Sequence, residues 1–185
     1  MRIILFIAFI LTSSLGFAQE WFDGKCQLNA AISEEQYKSE KIRNLLTIII
    51  TQDNTLIIND EPYKQLSEIK FKELILDFID NPKQNNQLAE SPKKAIIAMR
   101  AFGNQDRYKL LENYIREVYL YVWNVTAKKE FNKAFAELNC NKRERIFSKF
   151  YPYNFYKMAE AKQNKNRFPS NTPGPPPFPS DVKDN

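Results

Sequence analysis

Two cysteines, no histidine and a scatter of carboxylates set what chemistry this chain can do. Without histidine there is no Ser-His-Asp or Cys-His nucleophile system, no histidine-ligated zinc, and no side chain that normally exchanges protons near neutral pH. Cys26 and Cys140 stand far apart, with no CxxC arrangement for redox catalysis. The four glycines form neither GxGxxG nor GxxxxGK[ST], so a phosphate-cradling loop is not supported. Acid catalysis would need two carboxylates facing across a cleft. Asp77 with Asp80 and Glu34 with Glu35 are instead neighbours on polar faces, where charge is ordinarily solvated. The expectation is a non-enzyme without cofactor or metal.

The start of the chain changes how the cysteines read. Met1-Arg2 opens a short apolar run over residues 3–11, and Gly16-Phe17-Ala18 supplies the small residues of a secretory cleavage site. The stretch is shorter than the roughly 20 apolar residues that a membrane span needs and is broken by Thr12-Ser13-Ser14. The expectation is a signal peptide over residues 1–18, cut after Ala18, in preference to an uncleaved inner-membrane anchor. In an oxidising periplasm two otherwise unpartnered thiols are expected to pair. Closing so long a loop stabilises by about 4–5 kcal/mol in the chain-entropy model, with measured values of about 2–4 kcal/mol.

The 185 residues, 43% of them hydrophobic, suit one modest domain with polar ends. Residues 19–44 read as a polar lead-in with at most a short helix. The β-branched run 45–51, Asp53-Asn54, and residues 55–58 read as a hairpin, and Pro62 limits the next piece to a short edge element. Ser67 is a candidate N-cap for a helix from Glu68 to Asp80 that Asn81-Pro82 stops. Residues 95–99 read as a strand. Beyond Gly103 helical spacing runs through Leu111, Ile115, Val118 and Val122 toward Leu138, as one long helix or two in tandem, followed by a helix over 142–150. Tyr119, Tyr121 and Trp123 widen the apolar surface of the long helix, as burial on both sides or a partner surface would require. The fold class expected is α+β: a small antiparallel or mixed sheet packed by helices, then a long C-terminal helical extension.

Residues 141–167 carry eight Lys or Arg against two acids, whereas residues 19–140 carry seventeen against eighteen. The excess positive charge is therefore local. Six of the ten prolines fall within residues 169–179, so residues 163–185 read as a disordered proline-rich tail.

The order hairpin, short edge piece, helix, strand, helix resembles the periplasmic domain of the ExbD/TolR family of biopolymer-transport proteins. The resemblance rests on residues 47–51, Asp53-Asn54, residues 55–58 with Asn59-Asp60, the helix around Phe71 to Phe78, and residues 95–99. Arg100 and Asp106-Arg107-Tyr108 follow where the family tends to place a basic strand end, an acid and a tyrosine opening the next helix. Glu130-Phe131, Phe135 with Leu138, and Phe150-Tyr151-Pro152 with Ala159-Glu160-Ala161 look like the extension of the Bacteroidetes branch. It covers residues 45–162. One departure matters: motor-driven members carry a membrane helix containing an aspartate, and residues 1–19 hold no acid.

The resemblance implies an exported binding subunit of a TonB/ExbB-type complex, lacking the proton-carrying helix and forming homodimers as the family does. Strand addition at an exposed sheet edge near Tyr63 or over residues 55–58 is the expected mode. Ile57, Tyr63, Tyr108, Tyr119 and Trp123 are the candidate partner-binding residues. The alternative is a cell-envelope module that uses Lys142, Arg143, Arg145 and Lys149 against peptidoglycan carboxylates or another anionic surface. Export argues against nucleic acid as a partner.

Overall fold

The structure, a computed structural model, describes Cys26 and residues 32–159. The expected leader over 1–18 and the proline-rich tail over 163–185 lie outside the described residues.

The lead-in holds one short helix, α1 (Glu34–Ser39), opened by a capping box in which Ser33 and Gln36 bond each other's backbone N–H. None of its residues is buried. A 3-10 turn at Ile42–Asn44 leads into β1 (Leu45–Ile50), whose strict alternation turns Leu46, Ile48 and Ile50 to the core. The hairpin forms as expected: β2 (Leu56–Ile58) returns antiparallel to β1. Asn59 and Asp60 then both adopt positive φ, 47° and 67°, the two-residue turn that matches strand twist, and β3 (Glu61–Tyr63) pairs back on β2.

Helix α2 (Glu68–Asp80) has the expected bounds. The Ser67 side chain accepts from Lys70 N, and Asn81, left-handed at φ 40°, closes the last turn. The following loop is tied by buried amides. Asn81 bonds the Asn85 and Ala89 carbonyls, and Asn44 accepts from Glu90 N. Strand β4 (Ile96–Ala101) lies parallel to β1, and α3 (Gln105–Phe131) runs as one 27-residue helix. It stops at Asn132, well short of Leu138; a 3-10 turn (Phe135–Glu137) and α4 (Cys140–Lys149) complete the helical part.

The chain then re-enters the sheet as β5 (Phe155–Lys157), parallel to β4, so the order is β3-β2-β1-β4-β5. The architecture is α+β, a mixed sheet with α2 and α3 packed on the face carrying Ile48, Ile50, Ile97 and Met99. The opposite face presents Leu45, Thr47, Ile49 and Ile57, all half-buried. Tyr156, in register with Ala98 and so on that second face, stacks on Tyr37 of the lead-in with centroids 4.7 Å apart. Cys26 and Cys140 are joined by a disulfide across 114 positions, which fastens the lead-in to the start of α4. Among the described residues no helix is long and apolar enough to cross a membrane.

Candidate functional site

The sheet has two edges of opposite character. Thr51 N donates to Thr55 O and Asn59 N to Thr47 O, so in the alternating antiparallel ladder the intervening pair Ile49–Ile57 also exchanges bonds. Ile57 therefore addresses β1, while Leu56 and Ile58 address Tyr63 and Glu61 of β3. Pro62 is left with its backbone facing outward, and it has no N–H to offer. This corrects the expectation for the edge. Residues 55–58 lie inside the sheet because the three-residue β3 covers them, Ile57 is an interior ladder residue, and the outer edge at Tyr63 is blunted by proline. Tyr63 packs partly against the core and donates its hydroxyl to Glu61.

The other edge is receptive. Ile97 N donates to Asn154 O and Met158 N to Met99 O, so Tyr156 addresses β4. The C=O of Phe155 and both backbone groups of Lys157 point away from the sheet. Three bonds hold this strand in place: Asn154 Nδ2 to Lys93 O and Ala95 O, at 2.9 and 3.1 Å, and Trp123 Nε1 to Tyr151 O, at 2.8 Å.

Beside this edge lies a hollow of about 420 Å³ lined by Ile32, Tyr108, Glu112, Phe155, Tyr156 and Lys157. It sits between β5 and the first turns of α3, which Asn104 opens by accepting from Arg107 N. Tyr108 is 5% exposed and its hydroxyl has no hydrogen-bond partner among the described residues. Burial, with the Glu112 carboxylate next in weight, pushes that hydroxyl up to about 12, so it stays a protonated donor. Glu112 accepts from Arg116 at 2.9 Å, and the Lys157 ammonium stands 5.3 Å from the Tyr108 ring centre. Deeper in the same direction, Tyr153 is buried, packs edge-on against Tyr119 at 4.9 Å, and has its hydroxyl pushed up mainly by burial.

Tyr119 and Trp123, expected as partner surface, are 1% and 0% exposed. The 3-10 turn and α4 fold back over them, bringing Phe135 and Phe147 to 5.2 and 5.6 Å from the Trp123 ring. Of the extra aromatics on α3 only Tyr121 is exposed, with Val125 one turn on. Tyr108 alone among the five expected partner-binding residues lines the hollow.

The basic set is divided. Arg143 is committed to the fold, donating to the Phe135 and Ala136 carbonyls and lying 3.9 Å from Cys26 Sγ. Lys142 and Arg145 lie over the Phe131 ring, and Lys149 is exposed in the last turn of α4. Among the carboxylates weighed for acid chemistry, Asp80 accepts from the Tyr151 hydroxyl at 2.6 Å, and Glu34 pairs with Lys38. No group of three or more ligating side chains that could hold a metal ion occurs among the described residues. A second hollow, of about 520 Å³, opens beside Ile42, Thr47 and Asn59; its Arg43 is spent on the Asn85 and Leu88 carbonyls.

Glu112 and Lys157 were not singled out as binding residues in the sequence, whereas Phe155 stands out only as one of the aromatics interleaved in the basic segment. The signal was there in the run Tyr153-Asn154-Phe155-Tyr156-Lys157 after Pro152, which has strand composition but is shorter than any period can register. No protein-family model, no curated protein and no solved structure matches this chain.

Proposed function

We propose that this chain is an exported, non-catalytic binding subunit of the ExbD/TolR kind, associated with an energy-transducing TonB/ExbB-type transport complex in the periplasm. It works by accepting an extended segment of a protein partner along β5. The observation that carries the reading is the outward-facing backbone of Phe155 and Lys157 beside a hollow that can take side chains of an added strand. Main-chain bonds supply affinity in that mode, and the hollow supplies selection. Two further features support it. The chain has the order of elements on which the resemblance rests, and the Cys26–Cys140 bond suits an oxidising compartment.

The test is site-specific photocrosslinking in the envelope of the source cell. A photoreactive side chain at Lys157 is expected to capture a membrane component of the transport complex, while the same group at Lys64, next to the blunted edge, captures none. Adducts that form only at Lys64, or that vanish when Lys142, Arg145 and Lys149 are neutralised, would move the function to the anionic-surface alternative.

A further inference from the structure

We propose that the C-terminal half of α3 and the exposed side of α4 form one surface that adsorbs to anionic lipid headgroups, with exposed apolar side chains seated at the bilayer interface. The surface is separate from β5. It goes beyond the strand-accepting reading and gives the chain a second, membrane-facing side.

Helical spacing gathers the residues. On α3, Tyr121, Val125 and Lys128 stand at i, i+4 and i+7, one row along the helix, and Tyr121 and Val125 are 59% and 49% exposed. On α4, Lys142, Arg145 and Lys149 stand at i, i+3 and i+7, a second exposed row, while Ile146 and Phe147 turn to the core. The rows meet at Phe131, one turn beyond Lys128, where the Lys142 ammonium lies 5.3 Å and the Arg145 guanidinium 5.9 Å from the ring centre. Their charge is not compensated within the fold. Residues 121–149 carry seven Lys or Arg against three acids, and among the described residues Lys128, Lys142, Arg145 and Lys149 enter no ion pair. Glu130 and Glu144 fall off the two rows, because helix residues two positions apart do not share a side, and Glu137 accepts from Ala134 N.

Two properties select a lipid surface as the occupant. Cations spread over two helices attract a plane of negative charge through their summed field, and neither hollow described above is lined by any of them, so no pocket fixes a single anion. Apolar side chains standing beside those cations fit the boundary between headgroups and acyl chains. There a tyrosine ring, a valine and the lysine stems bury their apolar parts while the polar ends stay wet. The test is co-sedimentation of the purified mature chain with vesicles of phosphatidylcholine alone and of phosphatidylcholine with about 30% phosphatidylglycerol. Partition into the anionic vesicles is expected to be about tenfold or more the stronger and to fall steeply between about 50 and 300 mM salt. The quadruple variant Lys128→Gln, Lys142→Gln, Arg145→Gln, Lys149→Gln should lose about tenfold or more of that partition. A control that removes the same charge from exposed sites elsewhere, Lys64→Gln, Lys83→Gln, Lys93→Gln, Lys109→Gln, should lose less than about twofold. Tyr121→Ser should weaken adsorption severalfold at constant charge.

Melting transitions are recorded first, and the double variant Lys128→Gln, Lys149→Gln, which leaves both Phe131 contacts in place, serves if the quadruple one does not fold. Equal partition into the two kinds of vesicle, or equal loss in the patch and control variants, would overturn the membrane-facing side. So would adsorption to isolated peptidoglycan but not to vesicles. Vesicle binding with no transport component captured at Lys157 would keep the surface and remove the transport role. Capture at Lys157 by a chain that ignores anionic vesicles would do the reverse.

Discussion

Trp123 donates its indole N–H to the backbone carbonyl of Tyr151, 28 residues further along, at 2.8 Å. That bond connects the middle of α3 to the segment that delivers β5, so the receptive edge is built from the core outward. Replacing Trp123 by Phe keeps an aromatic ring but leaves the Tyr151 carbonyl unpaired and opens a cavity against Phe135 and Phe147. The expected loss is about 2–4 kcal/mol by urea unfolding. A variant as stable as the parent would show that the bond has no net value.

The disulfide closes a loop of 114 positions and is expected to contribute about 2–4 kcal/mol. For a chain of this size that is roughly 5–15 °C in thermal midpoint. A Cys26→Ser, Cys140→Ser double variant should melt lower by that margin and be indifferent to reductant, whereas the parent should fall to the same midpoint when reduced. Two free thiols in non-reducing mass spectrometry of the protein would remove the basis for this expectation.

Glu90 carries a sign-definite pH dependence. Hydrogen bonds from Lys41 and then Lys94 hold its carboxyl down at about 2, below the ordinary 4.5. A depressed acid contributes stability that is complete above the unfolded value and is lost as pH falls through the folded one. Glu90→Gln should therefore lower the melting temperature near neutral pH and flatten its fall between pH 4.5 and about 2, with the two proteins converging at the acid end. Parallel curves across that window would show that the two lysines do not hold the carboxylate in solution.

Proline substitution discriminates the two kinds of strand position. At Ile57 it removes a bond to β1 and should cost about 3 kcal/mol or more, visible as lost circular dichroism or a collapsed melting transition. At Lys157 the lost N–H points outward, so the fold should stay within about 1 kcal/mol while partner capture through β5 disappears. A destabilisation at Lys157 matching that at Ile57 would mean that its N–H serves the sheet.

Much of the fold was legible because local chemistry and tertiary environment agree. The Ser67 cap, the Asn81-Pro82 stop and the Phe71, Ile75, Phe78 stripe each point to the same helix, and α2 has those bounds. The hairpin was readable from β-branched runs around turn residues, and the disulfide from cysteine number and compartment. What was not legible depends on distant parts of the chain. The widened apolar surface at Tyr119 and Trp123 is equally consistent with burial and with a partner face, and only the return of α4 decides for burial. Ile57 reads as an edge residue until the three residues of β3 are counted as a strand. Lys157 reads as one cation in a basic segment until β4 supplies a partner for Tyr156. Of the candidate site, Tyr108 was foreseen through the family resemblance, while the hollow it lines arises from β5, a strand too short to carry a pattern.

Pro62 also limits what copies of this protein can build together. Fibrous growth through sheets needs two different edges on each molecule, so that β5 of one copy meets β3 of the next. The missing N–H opposes that joint, leaving β5 against β5, a contact that uses both receptive edges at once and ends further growth. A chain with an open strand edge is thereby protected from polymerising through it: the sheet of the described residues can close on one companion and has no free end from which to continue.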